Sequence, residues 1–237
     1  MCDVITIDGP AGSGKSTVSR LLARKINYLY LDTGAMYRAV ALAAKMSKVD
    51  INDGKRLGEM CMSIHLEFKE NLSTGKGEVP QRLFLGGHEI SNEIRSPEMD
   101  MLSSSVSAVK EVREAMTGLQ QKMAEGMKVV AEGRDMGTVV FPNAGYKFFL
   151  TASPQVRADR RYMERLRRGE SASKEVVEEE LRERDHQDKT RSLAPLKPAR
   201  DAHVIDSSIL MPEEIVEEII TRVGKNDIAC GFHQING

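Results

Sequence analysis

Val4-Ile5-Thr6-Ile7-Asp8-Gly9-Pro10-Ala11-Gly12-Ser13-Gly14-Lys15-Ser16-Thr17 is the stretch on which the fold turns. Val4 to Ile7 is a short β-branched run, the pattern of a buried strand. Gly9 to Ser16 fits the phosphate-loop pattern, two glycines at fixed spacing followed by Lys and Ser. The residue types follow from the task. Glycines let backbone N–H groups close around phosphate oxygens without Cβ clashes, and the helix that starts there aims its positive end at the same anion. Lys15 can reach the β- and γ-phosphates, and the Ser16 hydroxyl can ligate Mg²⁺. Gly9, Pro10, Ala11, Gly12, Ser13, Gly14, Lys15, Ser16 and Thr17 are therefore expected to bind a nucleoside triphosphate, ATP or GTP, as GTPases, ATP-driven motors and small-molecule kinases all do with such a loop. No Asn-Lys-x-Asp motif for reading guanine occurs in the chain.

Downstream, strand and helix patterns alternate. Val18, Leu21, Leu22 and Ile26 fall at helical spacing, and Leu29 to Leu31 reads as a strand. Helices are expected over residues 36–46 and 57–64, and again from 97 to about 128. Further strands are expected at 129–131, 147–150 and 202–205, and helices from about 154 and 174. Ile215, Val216, Ile219, Ile220 and Val223 form a last stripe, expected to end at Gly224. Residues 225–237 show no period. Ile64 to Phe68 and Arg82 to Leu85 alternate, with the turn cluster Ser73 to Gly77 between them, and read as a small antiparallel insert. The class is α/β: a parallel sheet covered by helices on both faces.

Composition narrows the function. Lys+Arg 34 against Asp+Glu 35 leaves a net charge of −1, so no global positive field holds a nucleic-acid backbone. Trp is absent and aromatics are 5%, a poor basis for base-stacking platforms. No apolar run reaches a membrane span and no signal peptide is evident, so a cytoplasmic protein is expected. Cys2, Cys61 and Cys230 are far apart and read as reduced thiols; the scattered histidines have no ligand spacing, and His186 reads as surface. Asn71-Leu72-Ser73 fits a glycosylation acceptor but has no meaning without a secretory route. No dimer stripe is left over, so a monomer is expected.

Four further segments carry charge in patterns that suggest chemistry. Asp32-Thr33-Gly34-Ala35-Met36-Tyr37-Arg38 follows the second strand; Asp32 or Thr33 can cap the next helix, and Arg38 is placed for a phosphate. Glu132-Gly133-Arg134-Asp135 follows a buried strand and packs three charges into four positions, costly unless they bind something. Arg157, Arg160, Arg161 and Arg165 share one helix face, with Arg167 and Arg168 close behind. A face of one sign suggests a polyanion, and arginine suits bidentate phosphate contact. Arg184, Asp188 and Arg191 recur at four and three, one face of another helix.

The ordered set resembles the bacterial cytidylate kinase family of nucleoside monophosphate kinases. It runs from Ile5-Thr6-Ile7-Asp8-Gly9-Pro10 through the segment 32–38, Val112-Arg113-Glu114-Ala115, residues 133–142 and Arg184-Asp185 to Arg191. Ala194-Pro195-Leu196, Asp201-Ala202 and Asp206-Ser207 complete it. The resemblance implies a phosphate-loop core (1–32, 106–153 and 171–224), a monophosphate-binding part carrying the β insert (33–105), an arginine-rich lid (154–170) and a tail (225–237). It implies transfer of the γ-phosphoryl group of ATP to CMP or dCMP. Thr33, Arg113 and Asp135 would read cytosine. Ser104, with Ser103 or Ser105 as alternatives, would hold the sugar together with Arg184 and Asp188. Arg38, Arg134 and Arg191 would grip the monophosphate, and Tyr37 would line that pocket. Lys15, Arg134, Arg157, Arg161 and Arg191 would stabilise the transferring group, and Ser16 would hold Mg²⁺, with Glu132 acting through water. Thr33 stands where Ser is expected and Glu132 where Asp is expected. Two other readings share the loop: a kinase for UMP or a non-nucleotide metabolite, and an ATP-dependent protein that holds RNA on its arginine face.

Overall fold

The computed structural model describes residues 3–69 and 81–231, with only the backbone described for 225–231. Asn71-Leu72-Ser73, the turn cluster Ser73 to Gly77, Cys2 and His233 lie outside the described residues, as does the Cys230 side chain. The chain divides into two compact units.

The first unit comprises residues 3–31, 124–190 and 194–231. Its strands are β1 (Val4–Asp8), β2 (Leu29–Asp32, whose last residue belongs to the second unit), β6 (Val129–Gly133), β7 (Tyr146–Thr151) and β8 (His203–Asp206). They form one sheet in the order β2-β6-β1-β7-β8. Pairs β1–β6, β1–β7 and β7–β8 are parallel, with Asp8 opposite Gly133 and Phe149. Both central strands β1 and β6 are buried along their whole length, which is why they read as unbroken apolar runs. Helices α1 (Lys15–Ile26), α6 (Pro154–Arg167), α7 (Lys174–Thr190) and α8 (Pro212–Gly231) flank the sheet. Val18 and Leu22 of α1 and Ile215 and Ile219 of α8 join Ile5, Ile7, Phe148 and Leu150 in one core. The chain leaves β1 for β2, comes back to β6 on one flank of β1 and then crosses to β7 on the other. The loop after β1 thus stands at the switch point of the sheet, where parallel sheets bind ligands.

The second unit comprises residues 32–123 and 191–193. It holds α2 (Thr33–Met46), α3 (Gly54–Ser63), the antiparallel sheet β3 (Leu66–Lys69), β4 (Arg82–Leu85) and β5 (His88–Glu89), α4 (Pro97–Ser107) and α5 (Lys110–Met123). Alanines at 35, 39 and 43 give α2 a smooth buried face, and it packs on α4. Helix α3 packs on α5. The Cys61 thiol of α3 is buried, and burial pushes it up to about 11, so it stays protonated and inert at neutral pH.

Several expectations are corrected. Residues 106–123, expected with the core, pack with 32–105, because α5 buries Val112 and Met116 in that unit. Helix α6, which falls within the expected lid (154–170), packs in the first unit, where Ala158 meets Ala11, Val177 and Leu181. Helix α8 does not stop at Gly224 but runs to Gly231, because a glycine with helical neighbours weakens a helix without ending it. A π-helical turn at Met136–Val140 has no counterpart in the sequence pattern.

Two loop glycines are fixed by close backbone approach. Gly9 has φ +155°, and a Cβ there would lie 2.1 Å from the Leu150 carbonyl oxygen; Gly12 has φ +75°, and its Cβ would lie 2.8 Å from the Arg157 carbonyl oxygen. Neither obstacle is a flexible side chain. Gly9→Ala is expected to cost about 3 kcal/mol of stability, read as a lowered urea midpoint. Gly86→Ala, at φ +56° with nothing within 4 Å, is expected to cost only about 1–2 kcal/mol.

Candidate active site

A loop that binds an anion through its N–H groups must turn its carbonyls elsewhere. Here three carbonyls are held by side chains. Lys15 Nζ donates to Pro10 O at 3.2 Å, Arg157 Nη1 to Ala11 O at 3.1 Å, and Ser207 Oγ to Ser13 O at 2.8 Å. Gly14, at φ 84°, is the N-cap of helix α1, which has no side-chain cap and no acid in its first turn. Its positive end is thus left to an incoming ligand.

Lys15 is buried, and burial pushes its ammonium down to about 7; nearby Arg134 and Arg184 add to this, while Glu132 and Asp188 oppose it. Ser16 Oγ donates to Glu132 Oε1 at 2.7 Å, although the two are 116 residues apart. A hydroxyl and a carboxylate meeting beside a phosphate loop are the hard oxygen donors that a small divalent cation requires, so the expected metal pair fits one.

Around the end of β6 the same unit gathers more of the expected residues. Arg134 Nε donates to Asp188 Oδ2 at 2.8 Å. Burial opposes the Arg134 charge, but Asp188, Asp185 and Glu132 outweigh it and hold the guanidinium firmly protonated. Asp135 is 2% exposed, and its carbonyl accepts from the amides of Val139 and Val140 at 2.9 and 3.2 Å. Arg184 and Asp188 both lie on α7, but the helix ends at Thr190. Arg191 is therefore not on their helix face, and it belongs to the second unit.

The arginine face of α6 is not a surface of one sign. Arg157 is buried and meets Asp185 at 2.7 Å, with Nε donating to Ala152 O at 3.2 Å. Arg160 donates to Ser207 O at 2.6 Å and to its hydroxyl at 3.0 Å. Arg161 pairs with Glu164, Arg165 with Glu180 and Glu170, and Arg168 with Glu164 and Glu170. The acids come largely from α7 and the turn before it, which a reading of the α6 window cannot see.

In the second unit, Asp32 caps α2 by accepting the Ala35 amide at 2.8 Å, and Thr33 is buried behind it. Arg38 lies 3.6 Å from Asp32 and 3.8 Å from Asp100. The Arg113 guanidinium stands 5.7 Å over the Tyr37 ring and donates to Ser107 O at 3.1 Å. Arg191 donates to Ser107 Oγ at 3.3 Å, and that hydroxyl donates to Ser104 O at 2.8 Å. Ser107 thus gathers Ser104, Arg113 and Arg191, a role hidden in a serine-rich run. Of the alternatives to Ser104, Ser103 gives its hydroxyl to Asp100 O and Ser105 is exposed. His186 is exposed, as expected. Sequence reasoning missed Asp100, and it gave no role to Asp185 and Ser207 although both stand in the motifs quoted; their partners are visible only in the fold.

The family model described as cytidylate kinase matches residues 5–225. A cytidylate kinase of Geobacter sp. (strain M21) is 44% identical over 228 residues, covering 96% of this chain and 95% of the relative. One of Pelotomaculum thermopropionicum is 47% identical over 219 residues, covering 92% and 95%. Among solved structures, an uncharacterized protein from Eubacterium ventriosum ATCC 27560 superposes with a TM-score of 0.53 at 14% identity, covering 95% of this chain and 99% of that one. That last likeness concerns the fold alone. With the family matched over nearly its whole length and relatives this close, the chain belongs to the cytidylate kinase family.

Proposed function

We propose that this enzyme transfers the γ-phosphoryl group of ATP to CMP or dCMP, giving ADP and CDP or dCDP. The observation that carries the reading is the family match over residues 5–225, which includes a phosphate loop whose carbonyls are turned away by Lys15, Arg157 and Ser207. In-line transfer needs positioning and charge neutralisation more than a general base. A site dense in arginine suits that chemistry.

The residue assignments belong to the same proposal. Gly9 to Thr17 bind the ATP phosphates. Thr33, Arg113 and Asp135 read the base, and Ser104, Arg184 and Asp188 hold the sugar. Arg38, Arg134 and Arg191 hold the acceptor phosphate, and Tyr37 lines its pocket. Lys15, Arg134, Arg157, Arg161 and Arg191 stabilise the transferring group. Arg157 and Arg161 reach the phosphates by exchanging Asp185 and Glu164 for the nucleotide. Ser16 would hold Mg²⁺, with Glu132 acting through water, and the ion would neutralise phosphate charge when bound. Among the described residues no helix is long and apolar enough to cross a membrane. We read the protein as a cytoplasmic monomer.

The first test is ADP release with ATP–Mg²⁺ and each of CMP, dCMP, UMP, AMP and dTMP. Strong turnover with CMP and dCMP and little with the others is expected; turnover with none of them would overturn the reading. Lys15→Ala should lower kcat by about 10²-fold or more with the fold intact.

The Lys15 shift carries a pH prediction. Its folded value lies below its unfolded value, so the unfolded chain binds more protons between about pH 7 and 10.5. Its contribution to stability therefore rises with pH across that window and is lowest below about 7. A bound triphosphate reverses the shift by favouring the ammonium. Nucleotide binding at pH 8 should take up protons, approaching about one per site, and Lys15→Met should abolish the uptake. Calorimetry in two buffers of different ionisation enthalpy measures this, and equal heats in both would remove Lys15 from the linkage.

A further inference from the structure

Asp8 is the last residue of β1 and immediately precedes the loop, yet the mechanism above gives it no part. It is 3% exposed. Its Oδ1 accepts the Met136 amide at 2.9 Å and its Oδ2 the Gly137 amide at 2.8 Å. These two amides open the π-helical turn whose later amides, at Val139 and Val140, close on the Asp135 carbonyl. The turn is pressed against the sheet: a Cβ at Gly137 would lie 3.0 Å from Thr6 Oγ1 and 3.2 Å from Lys147 Cδ. Asp135 and Arg134 therefore hang on a segment gripped at its start by one carboxylate.

A buried carboxylate is costly, and a neutral acceptor could satisfy one amide. Catching two consecutive N–H groups, one on each oxygen, is what the ionised form adds. The charged groups acting on Asp8 are Asp135, which disfavours its charge, and Lys15, which favours it. Lys147 of β7 is close to the turn but is engaged by Asp201 at 2.8 Å and Pro142 O at 2.5 Å.

We propose that Asp8 is the positioning residue of the acceptor-reading turn: its carboxylate fixes the Met136 and Gly137 amides and, through them, the placement of Asp135 and Arg134. This rests on the reading that Asp135 and Arg134 contact the acceptor. Because Asp8 is joined to Gly9 by a peptide bond, donor loop and acceptor turn share one anchor at the end of β1.

The test is Asp8→Asn, which keeps size and removes the second acceptor. We expect the KM for CMP to rise about tenfold, the scale of a lost charge-assisted hydrogen bond, with the KM for ATP changed less than twofold. Burial pushes the Asp8 carboxyl up to about 6, above its ordinary value, so the native protein loses the same charge as pH falls through 6. The ratio of variant to native KM should therefore shrink from pH 7.5 to 5.5, and titration of the CMP phosphate cancels in that ratio. A purely structural role for Asp8 would leave the ratio flat. An unchanged KM for CMP, an equal rise in both KM values, or a flat ratio overturns the proposal. Asp135→Ala serves as the reference: if it leaves the KM for CMP unchanged, the acceptor reading itself fails; if it raises that KM and Asp8→Asn does not, only the Asp8 proposal fails. Should Asp8→Asn not fold, the native protein still decides. Its Met136 and Gly137 amide resonances should titrate together near pH 6, and the absence of any inflection between pH 5 and 7 overturns the link.

Discussion

Every peptide unit that offers an N–H to an anion also carries a carbonyl that repels it. The loop after β1 resolves this conflict, and much of the first unit is arranged around the solution. Pro10, Ala11 and Ser13 turn their carbonyls to Lys15, Arg157 and Ser207. Two of these draw in further elements. Arg157 brings α6 and, through Asp185, α7. Ser207 brings the end of β8 and is itself held by Arg160. Ala11 packs on Ala158, Val177 and Leu181, so the outer side of the loop is part of a small apolar core. The loop is thus preorganised by bonds at its back.

Electrostatics repeats the theme. Lys15, Arg134 and Arg184 are drawn together against their mutual repulsion by Glu132 and Asp188. In the second unit Arg38 lies near Asp32 and Asp100, and Ser107 gathers Arg113 and Arg191. An anion arriving at such groups would have to replace ligands already in place, and would not meet bare charges. Binding is then a difference between two sets of pairings, which favours anions that can satisfy several arginines at once.

The parts of the fold that were legible in the sequence are those set by local pattern. β1 and β6 are apolar because both faces of the sheet are covered by helices, and α1, α6 and α7 begin close to their expected positions. The phosphate loop was legible because each of its residue types answers a local steric or charge demand. What was not legible depends on distant partners. Arg191 keeps a helical spacing from Asp188, but the helix ends one residue before it. The leading amides of the π-helical turn are held by Asp8, a partner 128 residues earlier that no local pattern announces. The face of one sign on α6 dissolved because Asp185 and Glu180 approach from another helix.

That last pairing has a consequence for how the chain behaves among polyanions. Contact with nucleic acid gains much of its strength when condensed cations are released into solution by incoming basic side chains. For the arginines at 157–168, Asp185, Glu164, Glu170 and Glu180 already serve as fixed counter-ions. They cannot diffuse away, so a passing polynucleotide would have to displace them without the entropic return that free ions supply. In the folded protein the arginines of α6 therefore face a polynucleotide already paired and not as bare charges.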